Sequence, residues 1–278
     1  MDPILRVEDL RVSFDTPRGV VQAVRGIGFE VGRERVGLVG ESGSGKSMTG
    51  RAILRITPRA ATVTAGKLEL QGENLLAADA KRMRQIRGRH ASMILQDPKF
   101  SLNPVMRVGT QVAESFLVHH KATKAQARER ALEMLAQVRI RDPKRVYDLY
   151  PHEVSGGMGQ RIMIAMMLIP EPALLIADEI TSALDVTVRT QVLAILDDLV
   201  TQRGLGLLFI SHDLNLVATF CDRVLVMYAG RIVESCKANE LEHAKHPYTR
   251  GLLESMPRLE APRERLAVLQ RDPAWLEA

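Results

Sequence analysis

The chain has 278 residues, 46% of them hydrophobic, and a formal net charge of +5. That length and apolar fraction exclude global disorder and allow a sizeable buried core, while two cysteines, Cys221 and Cys236, exclude a disulfide framework and a four-thiolate metal site. The basic excess suits a polyanionic partner, whether nucleotide, nucleic acid or an acidic membrane surface.

In chain order, the N-terminus (MDPILRVEDLRVSF) is acidic early and alternates like a strand, without the basic-then-apolar order of a signal peptide. Leu5, Val7, Leu10 and Val12 predict short strands, and VVQAV (Val20 to Val24) and IGFEV (Ile27 to Val31) continue them. RVGLVG (Arg35 to Gly40) is short, apolar and glycine-bounded, as a buried parallel strand is, and a helix from Lys46 to Ile56 follows it. Further short apolar runs are ASMIL (Ala91 to Leu95), ALLIA (Ala173 to Ala177), GLLFIS (Gly206 to Ser211) and RVLVM (Arg223 to Met227), separated by helical patterns. Strands alternating with helices predict an α/β fold with a largely parallel sheet. From Val108 to about Tyr147 the pattern is helical without a strand, with Ala127, Ala131, Leu132, Leu135 and Val138 on one helix face, which reads as an insertion between two sheet strands. The longest apolar stretch, 162–177, is cut by Pro170, Glu171 and Pro172, so no run reaches the roughly 18 residues of a membrane span. The expectation is a soluble chain, its cysteines small core residues in a reducing compartment, that reaches any membrane through a partner.

GESGSGKS (Gly40 to Ser47) fits the pattern G-x-x-x-x-G-K-[ST], directly after a buried strand and at the start of a helix. Gly43 and Gly45 let the backbone turn so that its N–H groups converge on phosphate oxygens, and the helix N-terminus adds its positive dipole end. Lys46 can bridge the β- and γ-phosphates and the Ser47 hydroxyl can bind Mg²⁺. LLIADE (Leu174 to Glu179) is an apolar strand ending in two carboxylates at the sheet's C-terminal edge, where open α/β folds bind ligands. Asp178 would hold Mg²⁺, and Glu179 would orient or deprotonate an attacking water. Without the phosphate loop the same pattern would be a strand end meeting solvent. The basic run Lys81 to His90 reads as a solvated helix face, with nucleic-acid or lipid contact as its alternative. Met158, Met163, Met166 and Met167 read as helix packing.

VSGGMGQR (Val154 to Arg161) decides among the ATPases that such a loop allows, since a serine, two glycines and a glutamine opening a helix make a second anion site. Downstream of the loop and before LLIADE, it resembles the signature motif of ABC ATPases. The resemblance extends in order over roughly Leu5 to Val233: Gln96 is similar to the Q-loop glutamine, SALD (Ser182 to Asp185) to the D-loop, His212 to the switch histidine and Phe14 to the aromatic that stacks on adenine. QDPKFSLNP (Gln96 to Pro104), YPHEVSGG (Tyr150 to Gly157) and HPYTRGLL (His246 to Leu253) look like the dipeptide/oligopeptide/nickel importer subfamily. Two positions depart from the pattern: Ile180 stands where that family usually has proline, and Gly159 stands where the signature often has a larger polar residue, on the face expected to meet another subunit's nucleotide.

The resemblance implies an ABC cassette with an N-terminal antiparallel β subdomain and a helical insertion at about 98–157, inside an ATPase domain at 1–257, with a peripheral tail at 258–278. It implies ATP and Mg²⁺, with Phe14, Gly40, Glu41, Ser42, Gly43, Ser44, Gly45, Lys46, Ser47 and Met48 on one side of the nucleotide. Ser155, Gly156, Gly157, Gln160 and Asp185 would act from the other side, in trans. Glu179, His212 and Gln96 would be catalytic, and Ser47, Gln96 and Asp178 the metal ligands. The segment Phe100 to Met106 would meet a membrane subunit, or else be a surface loop. The implied partners are two permease subunits, a second ATPase (a paralogue rather than a second copy) and a solute-binding protein, at the cytoplasmic face of the inner membrane. No iron–sulfur cluster is expected, because no cysteine follows Arg258. Peptide is the leading cargo, with nickel or a metal chelate as the alternative. An ABC ATPase acting on nucleic acid, or a silent partner without turnover, is the competing class.

Overall fold

The computed structural model describes residues 2–95, 101–182 and 184–255, together with Asp272 and Trp275. Two sheets organise it. The first is antiparallel, formed by β1 (Leu5–Thr16), β2 (Gly19–Val31), β5 (Lys67–Leu70) and β6 (Glu73–Asn74) in the order β2-β1-β5-β6, with β4 (Ala61–Thr64) also paired to β1. The second runs β11-β10-β3-β9-β8-β7. In it β3 (Arg35–Val39), β7 (Ala91–Ile94), β8 (Leu174–Asp178), β9 (Gly206–Ser211) and β10 (Arg223–Tyr228) are mutually parallel, and β11 (Arg231–Lys237) is an antiparallel edge.

The parallel strands are apolar at nearly every position because both their faces are covered. Successive side chains alternate between faces. Leu38, Met93, Ile176, Ile210 and Leu225 enter a core shared with the antiparallel sheet, α1 (Lys46–Ile53) and α2 (Ala80–Arg89). Val39, Ile94, Ala177, Phe209 and Val226 enter a core built with the remaining helices. Gly37 lies where α8 (Leu214–Phe220) crosses β3, and a Cβ there would collide with Val217. Burial of Cys221 against the same helix pushes its thiol up to about 12, so it stays protonated. No disulfide joins it to Cys236.

Between β7 and β8 the chain is helical: α3 (Val108–His119), α4 (Lys124–Gln137), α5 (Pro143–Tyr147), a short 3₁₀ turn at Pro151–Glu153, and α6 (Gly156–Leu168), which packs back on β7. Helix α4 starts with a capping box, Thr123 accepting from the Gln126 N–H and Gln126 from the Thr123 N–H. The chain then continues through α7 (Val186–Arg203), and α9 (Pro247–Ser255) is the last α-helix among the described residues. Among the described residues no helix is long and apolar enough to cross a membrane.

Several expectations are corrected. The helix expected to reach Ile56 ends at Ile53, because Arg55 adopts a left-handed backbone at φ +52. Within residues 61–74 lie three further short strands, β4 to β6. Trp275, in the tail expected to be peripheral, packs against Tyr228 and Tyr248 at ring-centroid distances of 5.9 and 6.0 Å. An indole so placed removes apolar surface from water, so at this residue the tail is part of the body.

Candidate functional site

The loop after β3 turns on three glycines in positive φ: Gly40 at +153, Gly43 at +82 and Gly45 at +105. Space also requires glycine at two of them, since a Cβ on Gly40 would strike the Met227 carbonyl and one on Gly45 the Ala23 carbonyl. Strands β10 and β2 therefore form the back wall of the loop. Gly45 caps α1 without a side chain, so the first-turn N–H groups of the helix point into the loop. Ser42 and Gly43 are exposed, Glu41 and Met48 half-buried, and Ser44 is 4% exposed with an Oγ that has no hydrogen-bond partner among the described residues. A buried, orphaned hydroxyl in a glycine loop fits an anionic ligand that supplies the missing partner.

Lys46 is 4% exposed. Its ammonium donates to the carbonyls of Gly40 at 2.8 Å and Glu41 at 2.9 Å. Burial lowers its pKa, opposed by the carboxylates of Glu179, Asp178 and Glu41. One residue on, the Ser47 hydroxyl donates to Asp178 Oδ1 at 2.8 Å. Burial raises the Asp178 carboxyl, against the Ser47 bond and the charges of Arg51 and Lys46. A hydroxyl and a carboxylate in contact are the hard oxygen donors that Mg²⁺ takes, so these residues fit that ion.

Glu179 directly follows β8, in a left-handed conformation at φ +48. Its N–H donates to the Ile210 carbonyl at 3.0 Å, and its own carbonyl accepts from the Ser182 N–H at 3.2 Å and hydroxyl at 2.9 Å. These bonds aim its carboxylate at His212, whose Nδ1 lies 3.4 Å from Oε2. The Glu179 side chain is 16% exposed and that of His212 55%, so the pair opens to solvent. Asp213 caps α8 and also meets Arg189 at 3.3 Å, which ties the loop after β9 to α7. Ile180, at the proline position, is 1% exposed and fills the helical-side core.

The structure thus brings Lys46, Ser47, Asp178, Glu179 and His212 together. It places other expected residues elsewhere. Asp185 accepts the Val188 N–H at 2.9 Å as the N-cap of α7. Ser155 caps α6 by accepting the Met158 N–H at 3.3 Å, and no hydrogen bond among the described residues joins it to the phosphate loop. Ser155 and Gly156 are exposed, whereas Gly157 abuts Val188. Gly159 is buried, and Gln160 is 1% exposed with Nε2 unpartnered among the described residues. Gly159 and Gln160 lie one turn further along the same helix face as exposed Ser155 and Gly156, so that face is open at the helix N-terminus and covered from its second turn on. Phe14 is half-buried in β1, paired with Val21 and Ala61 and packed on the antiparallel-side core. Gln96 lies outside the described residues, as does Ala183 of the SALD segment.

Sequence reasoning missed two contributors. Gln111, 6% exposed, braces the 103–106 turn by accepting from the Asn103 N–H and donating to the carbonyls of Asn103 and Met106. Tyr248 reaches the phosphate loop itself, its hydroxyl accepting the Glu41 N–H at 3.1 Å. The string HPYT was visible, but no local pattern ties it to a residue 207 positions away. Two members of the basic run are spent internally, Arg82 pairing with Glu73 at 2.6 Å and Arg87 donating to the carbonyls of Leu54 and Arg55, while Lys81, Arg84 and Arg89 are exposed.

A glycine loop between a central parallel strand and a helix, met by a carboxylate from the end of a strand two places along the sheet, defines a P-loop nucleotide-binding fold. Residues 24–182 match the family "ABC transporter", and residues 233–277 match "Oligopeptide/dipeptide transporter, C-terminal region". A probable peptide ABC transporter ATP-binding protein of Sinorhizobium fredii is 49% identical over 92% of this chain and 77% of its own length. The oligopeptide transport ATP-binding protein OppD of Bacillus subtilis is 46% identical over 93% of this chain and 73% of its own. In structure, a dimeric ATP-binding cassette bound to ADP and Pi superposes with a TM-score of 0.76 at 23% identity, over 84% of this chain and 99% of that one. The chain belongs to the ABC transporter family, among its ATP-binding subunits.

Proposed function

We propose that this chain hydrolyses ATP to drive an importer of short peptides from the cytoplasmic face of the cell membrane. The observation that carries the reading is the convergence of Lys46, Ser47, Asp178, Glu179 and His212 from separate segments on one edge of the parallel sheet. Peptide as cargo is supported by the peptide-transport names of both relatives and by the oligopeptide/dipeptide C-terminal match. Nothing comparable favours nickel, and the internal pairing of Arg82 and Arg87 weighs against a nucleic-acid surface.

The roles follow from charge and position. Lys46 would leave the two loop carbonyls for the β- and γ-phosphates, beside the loop N–H groups, where developing negative charge needs donors. Ser47 and Asp178 would hold Mg²⁺, with Gln96 as a further ligand, and the ion would neutralise phosphate charge. Glu179 would accept the proton of the attacking water, and His212 would orient that water against the γ-phosphate. Phe14 would stack on adenine. Ser155 and Gly156, with their exposed helix N-terminus, would close the nucleotide of a second cassette. Two permease subunits, a paralogous cassette and a solute-binding protein complete the assembly, and the 101–106 turn braced by Gln111 would touch a permease.

Glu179→Gln keeps shape and removes the base. Hydrolysis should fall at least about 100-fold while ATP binding is retained. Turnover equal to wild type would remove Glu179 as base. Purification of the tagged chain from native membranes should bring down permeases and a second cassette, and a peptide-loaded binding protein identifies the cargo.

A further inference from the structure

We propose that Tyr248 is a positioning residue of the phosphate loop, carried on the His246–Thr249 segment as a strut built into the nucleotide site. The proposal rests on reading that loop as an ATP site. The Gly40–Glu41 peptide unit is held at both ends. Its carbonyl accepts from the Lys46 ammonium at 2.8 Å, and its N–H donates to the Tyr248 hydroxyl at 3.1 Å. A peptide unit is planar, so fixing the direction of the N–H fixes that of the carbonyl opposite, and with it the resting place of the Lys46 ammonium.

The strut is rigid. Tyr248 has no exposed surface. The Tyr228 ring lies 4.4 Å from it and the Trp275 ring 6.0 Å. Its own N–H donates to His246 Nδ1 at 3.2 Å. Glu234 on β11 accepts the N–H groups of Lys245 and His246, both at 2.9 Å. Burial pushes the Glu234 carboxyl up, but these N–H bonds, together with Thr249 and the charge of His246, leave it below its ordinary value. A charged acceptor of this kind makes the stronger sort of hydrogen bond. The same side of the molecule grips the loop again through the Gly230 N–H, which donates to the Ser44 carbonyl at 2.9 Å. The C-terminal region is thereby mechanically continuous with the phosphate loop.

The test is equilibrium binding of ATP and of AMP to the full chain, as wild type, Tyr248→Phe and Glu234→Gln. Phenylalanine keeps the ring packing and deletes only the hydroxyl. Tyr248→Phe should weaken ATP about fivefold, the scale of one neutral hydrogen bond. AMP has no β- or γ-phosphate for Lys46 to hold, so its affinity should not change. Glu234→Gln should weaken ATP in the same direction by about twofold, and it carries the test alone if the tyrosine variant does not fold. Unchanged ATP affinity in the variants, or equal weakening of ATP and AMP, overturns the strut. A wild-type chain that binds no ATP overturns the ATP-site reading and the strut together, whereas a binding wild type with indifferent variants overturns the strut alone.

Discussion

Lys46 and Asp178 are charges held almost out of water, 4% and 3% exposed, a few residues from the strained backbone of Glu179 at φ +48. A non-glycine residue in that region costs about 1 kcal/mol. Buried charge and local strain at one spot mark a site whose stability is spent on function. The sign for Asp178 can be worked out. Its folded pKa is raised above the unfolded value, so the folded state binds the proton more tightly. Stability is then lost as pH rises through the carboxylate range, and the full penalty is present at neutral pH. Asp178→Asn keeps an acceptor for the Ser47 hydroxyl and removes the charge. The nucleotide-free variant should melt on the order of 2 °C above wild type at pH 7. That gain should shrink as pH falls through the carboxylate range and vanish once the wild-type carboxyl is protonated as well. The same variant should lose Mg²⁺-dependent stabilisation by ATP. A melting temperature below wild type at pH 7 would contradict the assignment of Asp178 as a buried, disfavoured anion.

At the scale of elements, what was legible in the sequence is what a local pattern encodes. Strands β3, β8, β9 and β10 stood out because burial on both faces makes their runs continuously apolar. The phosphate loop stood out because its glycines answer to backbone sterics at Gly40 and Gly45. Strands β4 to β6 did not, since they are short and β4 and β6 are half exposed, so they carry little periodic signal. Tyr248 did not either, because its partner is distant in sequence. Gly37 belongs to this scale as well: mid-strand, it looked like one more apolar-run residue, but it is the clearance that lets α8 cross β3. Gly37→Ala should overpack that crossing and destabilise the fold by about 1–3 kcal/mol, read as a lowered thermal midpoint. An unchanged midpoint would mean that α8 moves freely over the sheet.

At the scale of the molecule, the site is divided. The phosphate loop, Asp178, Glu179 and His212 occupy one edge of the parallel sheet, whereas Ser155 and Gly156 present their helix N-terminus to solvent with no described hydrogen bond to that edge. A γ-phosphate needs donors on opposing sides, so on the proposed function one chain would supply half of each of two sites. If the missing half comes from a second copy, specific ATPase activity must rise with chain concentration, as dimer replaces monomer by mass action. If it comes from a paralogue, activity stays low and flat until that paralogue is added. The family resemblance favours the second outcome. We therefore expect specific activity, measured from about 0.1 to 50 μM chain, to stay constant within twofold, against the steep rise that mass action would give self-pairing copies. We also expect Ser155→Arg in this chain to impair hydrolysis at the paralogue's phosphate loop while leaving this chain's own affinity for ATP intact. A rising profile in the chain alone would make the second cassette another copy of itself.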